Sequence, residues 1–332
     1  MAISVAADGR FDGLGAATAR VGTVLPPLNE RVRMLVVSPH PDDESLAVGG
    51  LIQAVLGAGG SVDVLLLTDG DDNPWPQRYM ERRIVIDAQA RARWGTRRRG
   101  EVRAALARLG VSESSLHALG WHDMDVTGCL SRDASAAIAA IDAVVADTAP
   151  TLMVLPALGD RHPDHGSAHV MARLAARAAA PETHVVTYMI HGRVDVGTAA
   201  ARLPLTPTIE AGKRSAVREH RTQLSLSGKR MLGMVQPDET FALPTPPQAA
   251  LPWHPPVWIR PGLQLLVVSG QGSSHWRWRD APLEHTRQGW VLHDPLLERG
   301  GFVKLSLPLR SPWIFDHWGW AELAPRGAGS LA

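Results

Sequence analysis

The stretch "RMLVVSPHPDDE", residues 33–44, joins an apolar run to a turn crowded with acids. An aliphatic run without polar alternation reads as a strand covered on both faces. The turn after it holds His40, Asp42, Asp43 and Glu44. Three adjacent carboxylates repel one another, so a positive partner belongs beside them. The following "ESLAVGGLIQAVLGAGG" reads as a helix that ends at glycine. Strand, acidic turn and helix form the unit from which the rest of the chain is read.

The alternation of strand and helix recurs. "SVDVLLLT" (61–68), "LHALGW" (116–121), "TLMVLPA" (151–157) and "HVVTYMI" (184–190) read as further strands. Between and after them, "QRYMERRIVIDAQARARW", "RRRGEVRAALARLG", "RDASAAIAAIDAVVADT", "DHGSAHVMARLAARAAA" and "TIEAGKRSAVREHRTQL" read as helices. The alternation predicts an α/β fold, a Rossmann-like three-layer sandwich with a mostly parallel sheet. The first strand is not followed by the glycine pattern that lets a pyrophosphate approach, so a dinucleotide fold reading fails at its key turn.

Beyond about residue 235 the texture changes. "QPDETFALPTPPQAALPWHPPVW" reads as a linker or extended wrap. After it, "VWIRPGLQLLVVSG", "GWVLHD" and "GFVKLSLPL" read as antiparallel strands, and eight of the eleven tryptophans lie in this part of the chain. Packing in a small β-rich core is their ordinary use. The rival is stacking on sugar rings, because an indole offers a flat apolar face. "SHWRWRD" and "WIFDHWGW" are the segments that could expose such faces.

The 332 residues are 45% hydrophobic and 20% charged, enough apolar content for a sizeable core. A net charge of +1 gives no global argument for nucleic acid. The arginines between 78 and 108 read as a solvated helix face, with a basic rim for an anionic substrate as the alternative. The single Cys129 excludes an intrachain disulfide and a thiolate metal cluster. The N-terminus shows no basic start followed by an apolar segment, and no run reaches the ~18 apolar residues of a membrane span. A cytoplasmic protein is the expectation.

Ligands of doubly wound sheets sit outside the carboxyl ends of the strands. The first strand runs into "PHPDDE" and the fourth into "LGDRHPDH" (158–165). If the two strands are neighbours, His40, Asp42, Asp43, His162, Asp164 and His165 converge on one rim. A catalytic zinc takes three ligands from His and Asp or Glu and keeps one position open. A divalent cation also supplies the charge that the crowded acids need. Helix capping alone explains acids in a first turn, but not the second His/Asp cluster after another strand. Which of Asp42 and Asp43 binds the metal is left open by the spacing.

"PHPDDE" followed some 120 residues later by "HPDH" resembles the LmbE/PIG-L family of zinc-dependent N-acetylglucosaminyl deacetylases. "RRRGEVRAALARLG" with "LGWHD", and "KRSAVREHRTQ" (213–223), resemble the family's middle section and late helix, so the likeness covers roughly residues 33 to 225. The resemblance implies zinc ligation by His40, Asp43 and His165. It makes Asp42 the general base and His162 the general acid and oxyanion donor, with Asp164 orienting His162. Arg98 and Asp123 match positions associated with sugar hydroxyls. Asp160 and Arg161 stand where some relatives carry a tyrosine, so substrate detail there does not transfer.

The expected organisation is an N-terminal arm (1–30), a catalytic domain (31–235) and a Pro/Trp-rich, β-containing C-terminal extension (236–332). The expected function is a hydrolase that deacetylates an N-acetyl amino sugar or glycoconjugate through zinc-activated water. Fe(II), Co(II) and Mn(II) also suit a His2Asp site. An amidase for another N-acyl or thiol conjugate, and a glycan-binding protein without turnover, are the alternatives. His169 is expected to support the site or be structural, with a ligand role as the alternative; His184, His191 and His220 are expected to be structural or rim residues, and Glu44 to support the turn.

Overall fold

The computed structural model describes residues 24–192, 200–308 and 315–326. Expectations about the N-terminal arm before residue 24, and about Trp313, lie outside the described residues.

The chain opens with β1 (Arg33–Ser38), α1 (Asp43–Gly57) and β2 (Ser61–Thr68), followed by α2 (Pro74–Glu81) and α3 (Ala88–Leu109). Then come β3 (Leu116–Trp121), α4 (Val126–Thr148), β4 (Leu152–Pro156), α5 (Pro163–Ala179) and β5 (His184–Tyr188). The strands β6 (Ala200–Pro204) and β7 (Asp238–Ala242) enclose α6 (Pro207–Glu219) and α7 (Arg221–Gly233). Together the strands make a seven-stranded sheet in the order β3-β2-β1-β4-β5-β7-β6. The first five are parallel, and β7 and β6 add antiparallel pairings at one edge.

Side chains alternate across a strand, and β1 shows why it needs two covering layers. Leu35 and Val37 pack with residues of α4 and α5 on one face. Met34 and Val36 pack with residues of α1 and α3 on the other. The three-layer expectation holds. Three local details differ. Residues 82–87 separate α2 from α3, because Arg82 takes a left-handed conformation and Asp87 caps the new helix at Ala90 N. The late helix breaks at His220. The sheet also runs past the expected boundary at 235, since β7 lies in what reads as linker and carries a buried Glu239. That carboxylate accepts from Gly50 N, Leu51 N and Lys213 Nζ, which ties the strand to α1 and α6.

The later chain forms β8 (Gln264–Ser269), β9 (Gly272–Arg277), the hairpin β10 (Leu283–Thr286) and β11 (Gly289–Leu292), then β12 (Gly301–Ser306) and β13 (Gly319–Leu323). Four of them build an antiparallel sheet, β13-β12-β8-β9. One face, through Leu266, Val268, Phe302 and Trp320, packs on the helices α4 and α5. The other, through Leu265, Val267, Val303 and Leu305, packs with Trp253, Trp278 and Leu292. Among the described tail tryptophans, Trp253, Trp278 and Trp320 are therefore core residues, whereas Trp258 is exposed.

Candidate metal centre

β1 and β4 are direct neighbours, paired from Met34↔Leu152 to Val36↔Val154. Their carboxyl ends thus bring residues 39–44 and 157–165 to one rim. His40, Asp43, Asp164 and His165 are all buried there.

Three donor atoms converge. His40 Nδ1 lies 3.3 Å from His165 Nε2. Asp43 Oδ2 lies 3.4 Å from His40 Nδ1 and 3.2 Å from His165 Nε2. Ligands bound at ~2.0–2.2 Å around a tetrahedral ion stand about 3.3–3.5 Å apart, so this triangle could hold a divalent cation. The rings of His40, His162 and His165 offer a second, looser combination with nitrogens within 4.8 Å of one another. In it His162 Nδ1 is already occupied as acceptor from Asp164 N.

Each of the two histidines in the triangle turns its far nitrogen to a carboxylate. His40 Nε2 is 3.2 Å from Asp164 Oδ2 and 3.2 Å from Asp123 Oδ1. His165 Nδ1 is 3.2 Å from Asp160 Oδ2, out of line for a hydrogen bond. Metal-binding histidines are commonly backed in this way, which sets ring orientation and basicity. The Asp164 carboxylate also accepts from Met124 N and Val126 N. This corrects one expectation: the carboxylate of Asp164 orients His40, and only its backbone N–H reaches His162.

The electrostatics follow from the same packing. Burial opposes ionisation of Asp43, but His165 and His40 outweigh it and hold the carboxyl well below its usual range. Burial likewise opposes charge on His165, yet Asp43 and Asp160 push it up to about 10. The cluster demands positive charge, which either protons or a metal ion can supply. His162 goes the other way. Burial and the neighbouring rings of His40 and His165 lower it to about 2, so it is a neutral imidazole. Because Nδ1 accepts from Asp164 N, its own N–H is assigned to Nε2.

Asp42 sits at the lip of the cluster with a strained backbone, φ 133°. Glu44 holds this turn from behind: its carboxylate accepts from Asp42 N, Ser38 Oγ and Ser45 Oγ, and lies 3.2 Å from His220 Nε2. Burial raises the Asp42 carboxyl to about 7, with the Arg98 guanidinium opposing the shift. Arg98 is 3% exposed. It donates to Pro41 O at 2.7 Å and Gly70 O at 2.8 Å, and stands 3.5 Å from Asp42 Oδ2. That place suits a residue that positions Asp42 rather than the sugar contact expected above. Asp123 faces both His40 and Arg98, and its N–H is held by Asp71 Oδ1.

The sequence reading gave Asp160 no site role and placed His191 only as a structural or rim residue. Asp160 accepts from His162 N, Ile190 N and His191 N, stapling the second turn to the end of β5. The His191 ring lies 4.9 Å from that of His165 and 5.3 Å from that of His162. The strand-end rule, extended to "HVVTYMIH", would have found His191. Most arginines of 78–108 do lie on a solvated face, paired as Arg91–Asp72, Arg93–Glu81 and Arg103–Glu113.

Comparison with known proteins bears on this arrangement. The chain is 34% identical over 168 residues to a 1D-myo-inositol 2-acetamido-2-deoxy-alpha-D-glucopyranoside deacetylase of Rhodococcus opacus, covering 47% of this chain and 56% of that protein. It thus spans little more than half the length of that relative. A teicoplanin deacetylase, solved in a zinc-inhibited form, superposes with a TM-score of 0.50 at 19% identity over 64% of this chain and 97% of its own. An N,N'-diacetylchitobiose deacetylase of Pyrococcus horikoshii superposes with a TM-score of 0.50 at 16% identity over 71% and 94%. These two likenesses speak for the fold. Residues 35–176, which contain every residue of the converging triangle, match the family model PIG-L: GlcNAc-PI de-N-acetylase, and the chain is a relative of the PIG-L/LmbE family.

Proposed function

We propose that the protein is a metal-dependent hydrolase that removes acetyl from an N-acetylated amino sugar, with the ion held by His40, Asp43 and His165. The observation that carries this is the triangle of donor atoms whose two histidines are each backed by carboxylates. When bound, a divalent ion supplies Lewis-acid polarisation and an acidified water.

The chain's own groups do the rest. Asp42 accepts the water proton as oxygen attacks the acetyl carbonyl, and returns it to the sugar nitrogen as the C–N bond breaks. His162 presents its Nε2–H to the carbonyl oxygen as negative charge develops there. Asp164 and Asp160 fix the rings of His40 and His165. Arg98 holds Asp42 in place through Pro41 O. Water adds to the acyl carbon, and acetate and a free amine are the products.

Zinc suits a His2Asp donor set, and Fe(II), Co(II) and Mn(II) suit it as well. The test is acetate release from N-acetylglucosamine glycosides by protein loaded with each metal in turn. Turnover that requires metal and is lost in Asp42→Asn supports the reading. Stoichiometric metal without acetate release from any glycoside overturns it.

A further inference from the structure

The sequence from 208 to 224 reads as one helix, yet the chain breaks between α6 and α7 at His220, whose ψ of 58° leaves the helical range. The break turns the imidazole into the interior. His220 is 0% exposed. Its Nε2 lies 3.1 Å from Ser45 Oγ and 3.2 Å from Glu44 Oε1. Ser45 Oγ itself donates to Glu44 Oε1 at 2.8 Å. The other oxygen of Glu44 is spent on the turn before α1. Oε2 accepts from Asp42 N at 3.1 Å and from Ser38 Oγ at 3.2 Å.

Asp42 needs such a hold. Its φ of 133° is a conformation that residues with a side chain rarely adopt. A strained residue persists only where its surroundings over-determine it. The turn is gripped from two sides. Arg98 donates to Pro41 O and stands beside Asp42 Oδ2. Glu44, with His220 behind it, takes Asp42 N. Both grips are rooted in α3. Glu101, one turn after Arg98, accepts from Thr222 N and Thr222 Oγ1. Thr222 is two residues past the break, so this contact fixes where α7 starts and where the His220 ring points.

We propose that His220 is a positioning residue for Asp42, which it reaches through Glu44, and that the break between α6 and α7 serves to place its ring. With the His220 Nε2–H on Ser45 Oγ and Glu44 Oε1, the Glu44 side chain is locked and its Oε2 stays on Asp42 N. Without that donor Glu44 can rotate. Asp42 then relaxes toward an ordinary φ, and its carboxylate shifts away from the water it is to deprotonate. The inference rests on the deacetylase reading, which makes Asp42 the general base. A histidine that only filled space between α6 and α1 would act on stability and leave this geometry alone.

The test compares His220→Leu, which keeps much of the buried volume and removes the donor, with His220→Gln, whose amide nitrogen can stand where Nε2 stands. Acetate release from an N-acetylglucosamine glycoside is measured on the metal-loaded full chain, and metal affinity by competition with a chelator. His220→Leu should lower kcat about ten- to hundred-fold, the range expected when a reacting group is displaced by about 1 Å, with KM and metal affinity near the native values. His220→Gln should keep most of the native rate. His220→Asn, a polar side chain too short to reach Glu44, replaces the leucine variant if that one does not fold, with the same loss expected. Crystal structures of the metal-loaded native chain and of the variants run in parallel. Residues 39–44 should shift in His220→Leu and stay in place in His220→Gln. An unmoved kcat in His220→Leu, or an Asp42 that keeps its φ of 133° there, overturns the proposal. So does the loss of kcat and metal affinity together in both variants. A displaced Asp42 in His220→Leu alone, with no acetate released by the native chain, keeps the positioning role and sinks the deacetylase reading.

Discussion

His40 and His165, from turns that follow different strands, face each other with Nδ1 and Nε2 3.3 Å apart. Neither nitrogen is spent on a carboxylate behind its ring, because Asp164 and Asp160 lie at the opposite nitrogens. Two inward nitrogens and the Asp43 oxygen between them make a donor set that could hold a divalent cation.

Asp164→Asn should weaken metal affinity by about 10- to 100-fold, as loss of a carboxylate behind a ligating histidine typically does. The fold should survive, since an asparagine oxygen still accepts from Met124 N. Competition against a chelator of known affinity reads the change. Affinity equal to that of the native chain would detach Asp164 from the metal centre.

Arg98→Met should cost roughly 3–5 kcal/mol, the usual penalty for removing one member of a buried charged network. Asp42 and Asp123 lose their cation, and Pro41 O and Gly70 O lose a donor. Gly70→Ala should act on the same place by a different route. Gly70 has φ +62°, and an added Cβ would collide with the Arg98 guanidinium. Urea unfolding of both variants provides the check. A change below about 1 kcal/mol in Arg98→Met would contradict the buried network.

Stability should fall with acid through His169. Burial lowers this imidazole to about 3 in the fold, and Arg173 and Arg177 push the same way. Unfolded, it titrates near 6.5. Between these values the unfolded chain binds a proton that the fold refuses, so stability rises with pH. The contribution is complete above about pH 6.5 and is lost as pH falls from there toward about 3, with a limiting slope of about 1.4 kcal/mol per pH unit. His169→Gln can still donate to Pro156 O, the native partner at 2.8 Å. It should flatten the profile relative to the native chain in urea titrations from pH 7 to pH 4. Parallel profiles would remove His169 as the cause.

Trp320→Ala should destabilise by about 3–5 kcal/mol, as expected for emptying a large buried site. Trp320 is 6% exposed and lies on Gly166, where an added Cβ would meet Trp320 Cδ1 at 2.6 Å. Gly166→Ala should therefore strain the contact between α5 and β13, at about 1–3 kcal/mol. Thermal unfolding followed by tryptophan fluorescence reads both. A neutral Gly166→Ala would mean that the C-terminal sheet yields easily beside His165.

Four strands of the main sheet were legible because they are buried runs, and a buried run has no polar alternation to blur it; β3, the half-exposed edge strand, was legible from the apolar residues of "LHALGW". β6 and β7 were not. β7, "DETFA", carries Asp238, Glu239 and Thr240 in five positions. It holds the sheet edge because Glu239 finds Lys213 and two N–H groups of α1, partners that are far away in sequence. The break of α3 from α2 at Arg82 was hidden as well. Residues 82–85 have no glycine or proline to mark a helix end, and Arg82 nevertheless takes the left-handed conformation that closes α2.

The sequence by itself determined the alternation of strands and helices and the placing of two His/Asp clusters at strand ends. Both are local properties, encoded in apolar periodicity and in stretches six and eight residues long. Only the tertiary structure decided which atoms meet. The β1–β4 pairing sets His40 against His165 and brings Asp164 toward His40 instead of His162. Helix packing buries Arg98 behind Asp42, and the chain leading into β13 brings Phe315, some 150 residues downstream, against His162 and His191. Those contacts depend on the register and packing of strands and helices distant in sequence, which no local pattern records.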